Sequence, residues 1–94
     1  MNKAEFKAKA NQRIDEVSAQ INEMKAKKES AKADVKSDFE TNLASLEKKK
    51  SELNEKYNAL EQATESEWED AKATFSSAAD SFQEGFDKLK SLVS

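Results

Sequence analysis

Large apolar residues recur along the chain at steps of three or four, or at sums of those steps: Phe6, Ile14, Val17, Ile21, Met24, Val35, Phe39, Leu43, Leu46, Leu53, Tyr57, Leu60, Trp68, Phe75, Phe82, Phe86, Leu89 and Val93. Of the large apolar side chains only Met1 and Leu92 fall outside this stripe, and nearly every position between its members is polar or alanine. That is the period of amphipathic helices, and nothing alternates with the period of two that marks a half-buried strand. The pattern predicts an all-α chain of long amphipathic helices, packed as an antiparallel coiled coil or a slim helical bundle.

Counting by sevens divides the stripe into three blocks of different register: Ile14, Ile21, Lys28, Val35; then Phe39, Leu46, Leu53, Leu60; then Trp68, Phe75, Phe82, Leu89. The joins, Ala31-Val35-Phe39-Leu43 and Leu60-Thr64-Trp68, are runs of four-residue steps, which are either stutters in a continuous coiled coil or turns between helices. Ser37-Asp38-Phe39-Glu40 and Thr64-Glu65-Ser66-Glu67 both match the capping box that satisfies free amides at a helix start. Two arrangements are therefore open over residues 31–38 and 62–67. One is three helices packed up-down-up; the other is one or two longer helices in a hairpin or oligomer.

Composition sharpens this choice without settling it. Proline is absent and Gly85 is the only glycine, which favours unbroken helices. Charge favours folding back, or antiparallel pairing of chains: residues 1–50 carry a net +3 and residues 51–94 a net −6. With 94 residues, 37% of them charged, the chain reads as one domain, 1–94, with a core one or two side chains thick. In the third block Ala71, Ala78 and Gly85 follow Trp68, Phe75 and Phe82 by three residues, so large side chains alternate with small ones that a neighbouring helix can approach closely. Lys28, Lys50 and Thr64 interrupt the stripe, where a polar residue can set register or oligomer state; Lys28 and Lys50 read more simply as lysines whose ammonium groups reach water near helix ends or a turn.

Candidate chemistry is sparse. The chain has no histidine and no cysteine, which removes the commonest general base, the Ser-His nucleophile pair and the usual zinc ligands. Glu61, Glu65, Glu67, Glu69 and Asp70 cluster, with Glu61, Glu65 and Glu69 sharing a face at spacings of four, but a row of Glu on a helix reads as a solvated face rather than a metal site. The basic runs Lys25-Ala26-Lys27-Lys28 and Lys48-Lys49-Lys50 are short, flanked by acids and without interleaved aromatic residues, so nucleic acid is not expected as a partner. No apolar run follows the first lysines as in a secretory signal, and no window is apolar enough for a membrane span, so a cytoplasmic location is expected.

These features predict a non-enzymatic structural or protein–protein interaction module, without metal or cofactor, that assembles through its helical stripe with a second copy or another helical protein. The expected assembly seam is Ile14, Ile21, Leu46, Leu53, Leu60, Trp68, Phe75 and Phe82. The alternative is reversible binding to a lipid surface or apolar ligand, since Phe and Trp on one helical face, with Lys3, Lys7, Lys9 and Arg13 near the amino terminus, also suit an interfacial helix. In stripe and charge pattern the chain resembles exchangeable apolipoproteins, which pack as bundles and open onto lipid. It is similar in composition to late embryogenesis abundant proteins, but its aromatic residues all lie on the stripe, which suits a chain that folds in water.

Overall fold

The computed structural model describes residues 2–93 and resolves the choice in favour of three helices. Helix α1 spans Lys3–Lys27, α2 spans Ala33–Gln62 and α3 spans Trp68–Ser91; a 3₁₀ turn, Lys28–Ser30, follows α1. No strand occurs among the described residues. The helices run up, down and up, so α1 and α3 are parallel. Lys3 pairs with Glu65 at one end of this pair and Arg13 hydrogen-bonds Gln83 farther along it. The resulting rod measures 51 × 17 × 16 Å.

The breaks between helices use no glycine. Ala31 and Lys32 adopt extended backbone (φ −69°, ψ 137° and φ −67°, ψ 152°), as does Ala63 (φ −67°, ψ 134°). No described residue has positive φ. Any residue can take that conformation, so the scarcity of Gly and Pro did not extend the helices as their helix-breaking strength suggests. What ends α1 is the apolar pattern: between Met24 and Val35 there is no large side chain for a helix to bury.

The first break lies at 28–32, so Asp34 to Asp38 are helical and Ser37 sits inside α2, where its capping match has no helix start to serve. The second match is real in part. Glu67 reaches back so that its Oε1 accepts from the Thr64 backbone N–H (3.0 Å) and the Thr64 hydroxyl (3.1 Å), one turn ahead of α3. At the start of α1 the Asn2 side chain accepts from the Glu5 N–H at 2.8 Å.

The core runs the length of the rod, and among the described residues no polar or charged one is buried in it. Val17, Ile21 and Met24 come from α1, Phe39, Leu43, Leu46, Leu53 and Leu60 from α2, and Trp68, Ala71, Phe75, Phe82, Phe86 and Leu89 from α3. Polar side chains cover the outside. Lys25–Glu47 (3.2 Å) and Lys28–Glu40 (3.7 Å) bridge α1 and the turn after it to α2, and Lys3–Glu65 joins the basic and acidic ends of the chain.

Candidate functional site

The eight expected seam residues lie within one chain. Ile21, Leu46, Leu53, Leu60, Trp68, Phe75 and Phe82 are buried, and Ile14 is half-buried beside them. Val17, Met24, Phe39, Phe86 and Leu89 are buried as deeply, and their places on the stripe already marked them. Ala10, buried on α1, carried no signal, because an alanine is equally at home on a helix surface.

The expected alternation of large and small residues explains how closely α2 and α3 approach. A β-carbon on Gly85 would stand 2.9 Å from Leu46 Cδ2 and 3.2 Å from Lys49 Nζ, and Lys49 Nζ also donates to the Ser81 carbonyl at 3.3 Å. Ala71 is buried and Ala78 half-buried on the same helix.

A different surface forms where α1 meets α3. The Phe6 ring stands edge-on to both Trp68 (centroids 5.8 Å apart, planes at 80°) and Phe75 (6.3 Å, 77°). Lys3 and Lys7 lie over the Trp68 ring at 5.5 and 5.9 Å, and Lys72 over Phe6 at 5.9 Å. Beside these rings runs a groove of about 210 Å³ lined by Phe6, Lys9, Ala10, Phe75, Ser76, Ala79 and Asp80. The rings of Phe6, Trp68 and Phe75 thus sit together where α1 meets α3, with Lys3, Lys7 and Lys72 over them.

The charged clusters resolve into surface pairs. The break at 63–67 takes Glu65 and Glu69 off the helix face of Glu61. Glu65 meets Lys3, Glu69 meets Lys72 at 3.2 Å, and Glu67 meets Thr64. The hydrogen bonds from Thr64 hold the Glu67 carboxyl below its ordinary pKa, the backbone N–H contributing most. Among the described residues no group of acids could hold a metal ion. Of the lysine runs, Lys25, Lys27 and Lys28 each face a glutamate and Lys49 a backbone carbonyl. Lys28 lies in the turn after α1 as expected, whereas Lys50 sits half-buried in mid-helix; Thr64 lies between α2 and α3.

No helix of the described residues is long and apolar enough to cross a membrane. Compared with known proteins, the chain matches no family model, no curated protein and no solved structure.

Proposed function

We propose that the chain is a non-enzymatic structural and protein–protein interaction module of the cytoplasm. Its apolar stripe assembles three helices into a rod, and the rod's outer faces meet a second copy or another helical protein. The observation that carries the structural half of this reading is the convergence of seven of the eight seam residues into a core free of buried charge, which leaves any partner to the outer faces. The open α1/α3 groove leaves apolar surface for a further helix side chain.

Light scattering behind a sizing column tests the reading. A mass that climbs with concentration from 10.5 kDa toward twice that value supports self-association. A mass fixed at 10.5 kDa into the millimolar range rules out the second copy as partner.

Reversible lipid binding is the second reading, favoured by the rings of Phe6 and Trp68 beneath Lys3, Lys7 and Lys72 at one end of the rod. Mixed vesicles of zwitterionic and anionic lipid should then change Trp68 emission or helicity. Constancy of both counts against it.

A further inference from the structure

Helix α1 is held to the bundle unevenly. Its second half is anchored by Val17, Ile21 and Met24, which are 0%, 3% and 0% exposed. Over residues 3–13 the only large apolar side chain is Phe6, which is half-buried, and the only fully buried one is Ala10. The remaining ties there are polar: the exposed Lys3–Glu65 pair, the part-buried hydrogen bond from Arg13 to Gln83 at 2.8 Å, and Lys3 and Lys7 over the Trp68 ring at 5.5 and 5.9 Å. Exposed pairs of this kind hold weakly.

A groove of about 210 Å³, open to solvent, runs along the same segment between Phe6 and Ala10 on one side and Phe75 and Ala79 on the other. Helices α2 and α3 are in close contact at Gly85 and Leu46, and α2 contributes five buried side chains to the core, Phe39, Leu43, Leu46, Leu53 and Leu60. The Phe6 ring, wedged between Trp68 and Phe75, is therefore the one large apolar side chain that fastens the front of α1.

We propose that residues 3–13 form an arm that opens from the bundle as a unit, hinging ahead of Val17, while the rest of α1 and the α2/α3 hairpin stay packed; opening withdraws the Phe6 ring and the lysine cover and bares Trp68 and Phe75. Phe6 is the latch. The arm carries Lys3, Lys7, Lys9 and Arg13 against Glu5 alone, so it leaves the bundle as a basic segment and exposes aromatic surface in the same movement.

Native-state hydrogen exchange on the full chain tests this. The amides of residues 9–13 have helical acceptors within α1, so simple fraying of the first turn does not release them. They should exchange at least about tenfold faster than those of residues 17–24, with little dependence on added denaturant, as expected for a local opening. In Phe6→Ala the difference should widen and Trp68 emission should shift to the red, with the protection of residues 43–60 and 75–89 kept. Equal exchange of 9–13 and 17–24 in the unaltered chain, through an opening as sensitive to denaturant as global unfolding, overturns the proposal whether or not the variant folds. Loss of protection in all three helices together in Phe6→Ala overturns it as well.

Discussion

Leu46 Cδ2 stands 2.9 Å from the point at which a β-carbon would project from Gly85, so the closest approach of α2 to α3 depends on a missing methyl group. Two effects oppose each other at this position. Alanine gains about 1 kcal/mol over glycine in a helix interior. Forcing a methyl into a filled core costs about 1–3 kcal/mol. Leu46 is 1% exposed, so its Cδ2 can make room only by shifting within the core, and that shift is expected to outweigh the helical gain. Gly85→Ala is expected to lower stability by about 1 kcal/mol in urea unfolding. In a Leu46→Ala background the same substitution should raise stability, and absence of that reversal in the double-mutant cycle would show that the helices do not meet there.

Burial separates seam residues by depth. Leu53→Ala and Phe75→Ala should each cost about 2–5 kcal/mol, because both side chains are enclosed and truncation leaves a cavity. Ile14→Ala should cost roughly half as much, since Ile14 is only half-buried and its site can collapse or fill with water. Losses below about 0.5 kcal/mol at Leu53 and Phe75, the size of surface substitutions, contradict the packing.

These depths were largely legible in the sequence, because a step of three or four residues fixes which side of a helix faces inward whatever it packs against. Leu53, Phe75 and Phe82 follow from spacing alone. The turns were harder to read. Ala31, Lys32 and Ala63 are extended, a conformation open to every residue, so no residue type announced the first break, and the chain's lack of Gly and Pro pointed the wrong way. Thr64 and Glu67 were readable because the turn ahead of α3 is closed by the Glu67 side chain, whereas Ser37 carries the same letters inside a helix. The wedge of Phe6 between Trp68 and Phe75 depends on α1 lying parallel to α3, which spacing along one helix does not encode.

The Thr64–Glu67 cap gives stability a pH dependence of fixed sign. Hydrogen bonds from Thr64 lower the folded-state pKa of Glu67, so its contribution is fully present above the unfolded pKa and fades as pH falls through the folded one. Glu67→Gln should melt below the unaltered chain at pH 7, and the gap should close as the medium is taken below the carboxylate range. A gap in melting temperature that is unchanged down to pH 2 would contradict the charged cap.

Cross-helix pairs such as Lys25–Glu47 join half-exposed groups. Lys25→Glu alone should cost under about 1 kcal/mol, and adding Glu47→Lys should restore most of it. The loss should shrink further in 1 M salt, where charges are screened within about 3 Å. A cost that persists undiminished in high salt would mean the residues act through packing and not through charge.

An odd number of passes gives the rod a direction. The polypeptide enters beside Trp68 and, after running up, down and up, leaves from α3 at the far end of a body 51 Å long. A hairpin or a four-helix bundle returns its chain to the side it came from; this one hands it across. Anything joined ahead of α1 is thereby held apart from anything joined after α3 by the full length of the helices, and tandem copies would extend in a line instead of doubling back.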